Sequence, residues 1–408
     1  MEFLQKKLDN GLTLIAETNP GAASMAVGFF VKTGSRDETP EVSGVSHFLE
    51  HMVFKGTVRR SPFDVNRDFD RMGANYNAFT SEENTVFYGA VLPEFQEPLL
   101  DLLCDMLRPA LRREDFDVEK NVIVGEIAVY EDQPRFRIYD RLMARHFSPH
   151  PLGNSILGTK QSVSGLLLDQ MRSYFDQRYS PGNIVVVGVG NVDFAALAEK
   201  VAKTCCDWQP RDVSRQMPEV CVSQKTEVIQ DRKVTREHIG MMSPAPSRQS
   251  SERFAAELLA TIVGDSTGSR LFYALVEPAI ADEASVAYAP LDGAGAFMTF
   301  VSAETHRASE ALGIANKELK KLLDDGIEED ELLAAKNKIA TGATLKGELP
   351  MGRLAAVGLD WIYRREYRPL AEQIEMLFAV TQDQVHQLAR QYDLAMTTVV
   401  ALGPMGSL

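Results

Sequence analysis

The chain has 408 residues, 45% of them hydrophobic and 25% charged, with a formal net charge of −14. That composition suits a globular protein of two or more domains with sizeable cores. The negative charge repels phosphate backbones and anionic lipid, so neither nucleic acid nor a membrane is expected as a partner. Cys104, Cys205, Cys206 and Cys221 show no CxxC spacing, which favours a reducing compartment over a disulfide framework. The N-terminal "MEFLQKKLDNGLTLIAE" alternates charged with apolar residues and lacks the apolar core of a secretory signal. No apolar run is long enough to span a bilayer, and the expected location is cytoplasmic.

In chain order, "LDNGLTLIAETN" predicts a hairpin turning at Asn10–Gly11, and "SMAVGFFVKTGS" a buried strand. Residues 44–57 predict a helix with Val45, Phe48, Leu49, Met52 and Val53 on its apolar side and Ser43 as its cap. Residues 101–132 predict two helices broken near Pro109. The stretches 169–193 and 383–404 then repeat one pattern of helix, tyrosine, turn and β-branched strand, with Tyr179 matching Tyr392 and Gly190 matching Gly403 at an offset of 213 residues. An offset of about half the chain implies two homologous halves rather than a solenoid. The polar, proline-containing stretch 208–224 predicts the junction, followed by the strand-like "KTEVIQ" and by amphipathic helices in 251–264 and 306–342. The expected architecture is α+β, with domains 1–210 and 222–408, each an antiparallel-rich sheet packed with helices.

The chemistry concentrates in "HFLEHMVFKGT", residues 47–57. On a helix, His47 and His51 lie one turn apart on one face and can aim their rings at one metal ion. Glu50 lies close enough to that face to reach a water beside the ion without ligating it. Zinc suits two imidazoles and a carboxylate with a fourth position left to water, and such a water ionises near neutral pH and becomes a nucleophile. The third ligand is sought in "VEKNVIVGEIAVYED", where Glu119 and Glu126 are seven residues, two helical turns, apart. One of them can complete the site while the other holds a ligating histidine by a hydrogen bond. Taken alone, an HxxEH pair is as readily the polar side of a surface helix.

HxxEH is an inverted zinc motif, and its surroundings resemble the pitrilysin/insulinase superfamily, in the branch of the mitochondrial processing peptidase beta subunit and its bacterial relatives. The resemblance runs over nearly the whole chain, through "LDNGLTLIAE", "GSRDETPEVSGVSHFLEHMVFKGT", "GANYNAFTSEENTVFYGAVL", "EKNVIVGEI", "HPLGNSILGT" and "YSPGNIVVVGVGNVD". It implies that His47, His51 and Glu126 bind one zinc ion per chain, that Glu50 is the general base, and that Glu119 supports the site. It further implies that Asn77 and Ala78 pair by backbone with an extended peptide, that Phe79 lines a side-chain pocket and that Tyr288 helps to hold substrate. The implied protein is a zinc endopeptidase acting on unfolded or extended peptides inside a clamshell chamber, each chain supplying half of it as a homodimer or as a heterodimer with a homologous chain.

One departure supports a different function. Active relatives carry an arginine seven residues before that tyrosine, where this chain has Ala281. A donor aimed at developing charge is worth a few kcal/mol of barrier, so the alternative is a weakly active or non-catalytic peptide-binding subunit that needs a homologous partner. Other clusters carry less. His146 and His150, in "RHFSPHPLG", are expected to serve turn packing, "GDSTGSRLF" lacks the lysine of a phosphate loop, and the acidic run 324–331 is expected to be a solvated helix junction.

Overall fold

The computed structural model describes every residue except Ser223. Its strands are β1 (Glu2–Lys7), β2 (Thr13–Thr18), β3 (Met25–Val31), β4 (Asn75–Thr80), β5 (Thr85–Val91), β6 (Ile184–Gly190), β7 (Thr226–Gln230), β8 (Arg236–Pro244), β9 (Glu283–Pro290), β10 (Gly295–Glu304) and β11 (Thr398–Gly403). The helices of the first 205 residues are α1 (Val45–Val53), α2 (Pro62–Arg71), α3 (Gln96–Met106), α4 (Arg113–Glu131), α5 (Pro134–Phe147), α6 (Lys160–Gly165), α7 (Leu168–Arg178) and α8 (Phe194–Cys205). They are followed by α9 (Arg253–Gly264), α10 (Ala308–Asp325), α11 (Glu329–Gly347), α12 (Pro350–Arg364), α13 (Leu370–Phe378) and α14 (Gln382–Gln391). Among the described residues, no helix is long and apolar enough to cross a membrane.

The chain forms two units, each discontinuous in sequence: Met1–Ala128 with Asn154–Gln216 and Leu345–Arg368, and Val129–Gly153 with Met217–Thr344 and Pro369–Leu408. A single cut between 210 and 222 does not describe them, because α5 belongs to the second unit and α12 to the first. The physical reason is that an amphipathic helix needs a sheet to cover, and its own pattern does not say which sheet that is.

In the first unit the strand order is β1-β2-β6-β3-β5-β4. β1 and β2 form the expected hairpin, with Gly11 at φ +94 in the turn, and β6 joins β2 in parallel. β3 and β6 are buried along their whole length, because both sheet faces are covered. Leu354, Val357 and Ile362 of α12 pack with Phe30, Val86 and Val187 on one face. Leu99 of α3 and Leu197 of α8 approach Gly89 and Gly188, which share the opposite face because both lie across from Val27.

The second unit has the order β7-β11-β8-β10-β9, which repeats β2-β6-β3-β5-β4 strand for strand. β11 is parallel to β7 and antiparallel to β8, as β6 is to β2 and β3. The repeat legible in the sequence is therefore α7–β6 and α14–β11. Tyr179 and Tyr392 each cap the C-terminus of their helix, and Gly190 and Gly403 each end their strand. Ile138, Leu142 and Phe147 of α5 cover one side of this sheet. A second core joins Leu258 and Leu259 of α9, Leu319 of α10 and Leu388 of α14 to Ile239, Met241, Val301 and Ala401.

α12 is tied to the first sheet by charge as well as by apolar contact. Arg353 donates from Nε at 3.0 Å and Nη2 at 2.7 Å to the Glu17 carboxylate, which also accepts from the Tyr367 hydroxyl at 2.8 Å. Arg353 and Glu17 are only 4% and 3% exposed, so removing one partner strands the other charge away from water. Arg353→Met should lower the unfolding free energy by about 3–5 kcal/mol, read from the urea midpoint, and adding Glu17→Leu should recover most of the loss.

Of the two histidines expected in turn packing, His150 lies in the turn after α5, while His146 is in α5 itself and faces β11. His146 Nδ1 lies 3.1 Å from the Thr398 hydroxyl, and His150 Nδ1 accepts from the Leu152 N–H at 3.1 Å. Burial pushes the His146 imidazole down to about 4 from its ordinary 6.5. A depressed folded-state pKa gives stability that is full above the unfolded value and is lost as pH falls through that interval. Between pH 7 and pH 4.5 the wild type should lose about 2 kcal/mol more than His146→Gln, measured by urea unfolding at both pH values.

Candidate metal centre

α1 begins where the backbone needs a glycine. Gly44 is the N-cap at φ +91, and a Cβ there would meet the Leu157 carbonyl at 2.7 Å. The predicted Ser43 cap is thus displaced: Gly44 takes the position with no side chain to offer, and the buried Glu38 carboxylate accepts from the N–H groups of Gly44 at 2.7 Å and Ser46 at 2.8 Å. Burial pushes the Glu38 carboxyl up to about 8 against the pull of these bonds, so it serves the helix chiefly as a hydrogen-bond acceptor. The helix stops at Val53 rather than at residue 57, and Gly56, at φ +91, turns the chain away.

α4 is docked on α1 by Phe116 against Phe48, their rings nearly parallel with centroids 4.8 Å apart. Phe116, Glu119 and Ile123 are buried along this face, and the seven-residue spacing brings Glu119 and Glu126 to the two histidines. Among the described residues, His47, His51 and Glu126 form a group whose ligand atoms all lie within 4.8 Å of one another. Glu126 Oε2 is 3.8 Å from His47 Nε2 and 3.4 Å from His51 Nε2. Ligands about 2.0–2.1 Å from a tetrahedral ion stand roughly 3.4 Å apart, so the spacing suits zinc. Glu126 Oε2, the oxygen between the two rings, is buried with no hydrogen-bond partner, and a ligand set of two imidazoles and one carboxylate leaves a fourth position open. These residues fit the ion that the sequence implies.

Glu119 is set one layer back. Its Oε1 accepts from His51 Nδ1 at 2.8 Å, which turns Nε2 toward Glu126, and its Oε2 pairs with Lys55 Nζ at 2.6 Å. Burial alone would raise the Glu119 pKa, but the hydrogen bonds from His51 and Lys55 outweigh it and hold the carboxyl below its ordinary range. Burial likewise draws His51 down, yet the Glu119 bond and the charges of Glu126, Glu119 and Glu50 leave it raised. His47 is pushed down to about 3 by burial, with the neighbouring His51 adding to the effect. It is therefore a neutral imidazole with a lone pair to give.

Glu50 interacts by charge with His51 and Glu126 of this group. Burial raises its pKa, partly offset by a hydrogen bond from Thr80, whose hydroxyl donates to Oε2 at 2.5 Å. Thr80 ends β4, the outermost strand of the first sheet. Of the residues named for peptide binding, Asn77 and Phe79 are exposed and Ala78 is nearly buried, its N–H donated to Asn77 Oδ1 at 2.9 Å. Tyr288 lies in the second unit on β9, where its hydroxyl donates to the Pro246 carbonyl at 2.8 Å. Lys55, Thr80 and Glu38 are the contributors that the sequence did not single out. Thr80 closes the quoted "NAFT", but only the folded chain puts its hydroxyl on Glu50.

The two-unit α+β fold and the HxxEH helix place the chain in a class of metal-site proteins with peptidase relatives, and the comparisons make the family explicit. Residues 13–160 match the model of Insulinase (Peptidase family M16) and residues 166–339 that of the Peptidase M16 inactive domain. An uncharacterized zinc protease of Streptomyces coelicolor is 30% identical over 409 residues, covering 98% of this chain and 89% of the relative. The uncharacterized zinc protease YmxG of Bacillus subtilis is 30% identical over 404 residues, covering 98% of both. A protease from Helicobacter pylori superposes with a TM-score of 0.90 at 20% identity over 99% of both chains, which speaks for the fold. The peptidase M16 inactive domain from Pseudomonas fluorescens superposes at 0.91 with 17% identity, over 100% of this chain and 99% of that one. The chain belongs to peptidase family M16, the insulinase family, within the superfamily that its motifs resemble.

The ligand geometry orders the effects of two substitutions. Glu126→Gln removes an anionic ligand and should abolish stoichiometric zinc retention in the presence of a competing chelator. Glu119→Gln leaves the ligand set whole but loosens His51 and should weaken zinc by roughly 10- to 100-fold. Full zinc affinity in the Glu126 variant would move the third ligand elsewhere.

Proposed function

We propose that this protein is a zinc-dependent endopeptidase acting on extended or unfolded peptides, with Glu50 as the general base. The observation that carries this is Glu50 beside the metal group: it interacts by charge with His51 and Glu126, and one of its oxygens accepts from the Thr80 hydroxyl at 2.5 Å. A zinc ion held by those three side chains supplies polarisation of the scissile carbonyl and acidification of a water. Glu50 takes the proton of the attacking water and returns it to the departing amine nitrogen as the C–N bond breaks. Its raised pKa makes Glu50 a stronger base toward that water than an ordinary carboxylate would be.

β4 supports the substrate class. The strand ends the sheet, so among the described residues β5 is its one strand partner and an added strand would pair on the other edge, and its last residue touches Glu50. An extended peptide pairing with Asn77 and Ala78 would be held mainly by main-chain hydrogen bonds, with Phe79 offering a side-chain contact, a mode that tolerates many sequences.

The weakly active or binding-only alternative is favoured by Ala281 in the place of the family's arginine and by the Tyr288 hydroxyl being given to a backbone carbonyl. One experiment separates the two functions: hydrolysis of an internally quenched, unstructured peptide library by wild type and by Glu50→Gln, with zinc quantified in both. For the peptidase, Glu50→Gln cuts turnover by roughly 10²- to 10⁴-fold with zinc unchanged. Undiminished turnover in the variant removes Glu50 as base, and a wild type that binds zinc without cleaving supports the alternative.

A further inference from the structure

We propose that Thr80 is a positioning residue for Glu50, tying the general base to the strand that receives the peptide; this rests on the peptidase function proposed above. The Thr80 hydroxyl has one proton and two acceptors within reach, Glu50 Oε2 at 2.5 Å and Thr85 Oγ1 at 3.5 Å. The bond to the acid is the shorter, and a bond to an ionised oxygen is the stronger kind. Thr85 in turn donates its own proton to the Thr33 carbonyl at 3.0 Å and is fully buried. It therefore offers the Thr80 proton only a more distant acceptor and does not compete as a donor for Glu50.

The mount behind Thr80 is rigid. Thr80 and Thr85 are cross-strand partners closing the β4–β5 turn. Within that turn, Ser81 N–H donates to the Asn84 carbonyl at 2.8 Å, and the Ser81 hydroxyl oxygen accepts from the Glu83 and Asn84 N–H groups at 3.2 and 3.0 Å. Glu83 is anchored by Arg36 at 2.6 Å and by the Tyr363 hydroxyl at 2.7 Å, and its carbonyl accepts from Arg215 at 2.6 Å. Glu50 is thus held at one oxygen by a fixed point on the edge strand, and its orientation does not depend on α1 alone.

For the fold, Thr80 needs only to be a β-branched residue at a strand end, a place that valine fills with nearly the same shape. Thr80→Val deletes the donor and keeps the rest, while Thr80→Ser keeps the donor. Wild type, Thr80→Val and Thr80→Ser are compared on one quenched peptide for kcat, KM and bound zinc, and the affinity of that peptide is measured in Glu50→Gln with and without Thr80→Val. Thr80→Val is expected to lower kcat by roughly 10- to 100-fold, with KM within about twofold of wild type. Zinc and peptide affinity should be unchanged, and Thr80→Ser should recover most of kcat. An unchanged kcat in Thr80→Val, a serine variant as poor as the valine one, or zinc lost from the valine variant would overturn the positioning role while leaving the peptidase standing. A zinc-loaded wild type with no turnover overturns the peptidase function, and the Thr80 proposal falls with it.

Discussion

The site depends on the contact between α1 and α4. HxxEH on one helix supplies two imidazoles and a neighbouring carboxylate, and a pair of histidines does not by itself make a closed metal site. The Phe48–Phe116 stack sets the two helices face to face, and the seven-residue spacing on α4 then delivers Glu126 to the histidines and Glu119 to the back of His51. Several polar groups around the centre are paired: Lys55 balances Glu119, Thr80 holds Glu50, and Glu38 caps the helix that carries the two histidines. Buried charges are tolerated where partners of this kind are in place.

The repeat explains how such a helix pair is supported. Each unit builds the same five-strand order, and each sheet is buried on both faces. In each unit one of those faces is covered by a helix from the other half of the sequence, α12 for the first and α5 for the second. The Arg353–Glu17 pair makes the first of these assignments specific, since a buried guanidinium has few places to go. Neither unit completes its core from one continuous half of the chain.

The edge strand connects fold to chemistry. β4 has β5 on one side, and its last residue reaches back to Glu50. Much of this was legible beforehand: the hairpin at Asn10–Gly11, the break near Pro109, the α7–β6 and α14–β11 repeat and the HxxEH helix with its two candidate acids. These features rest on local pattern, such as turn chemistry, β-branched runs and helical spacing, which short segments carry whole. The Ser43 cap did not hold, because serine's advantage as a cap is small beside the backbone crowding that only Gly44 relieves next to Leu157.

The sequence by itself determined which residue types could hold a metal and at what spacing, because the 3.6-residue turn ties position in the chain to position on a helix face. It left open whether Glu119 or Glu126 completes the set on chemical grounds, since both acids lie on the same face. Tertiary packing sets the two acids apart, bringing Glu126 within reach of both rings and giving Glu119 to His51 and Lys55. It also decided the partners that lie far away in the chain, Thr80 for Glu50, Glu38 for α1, and α12 and α5 for their sheets. Side-chain hydrogen bonds and the choice of a sheet to cover are contacts between distant segments, and no local pattern encodes which of several chemically equivalent partners will be met.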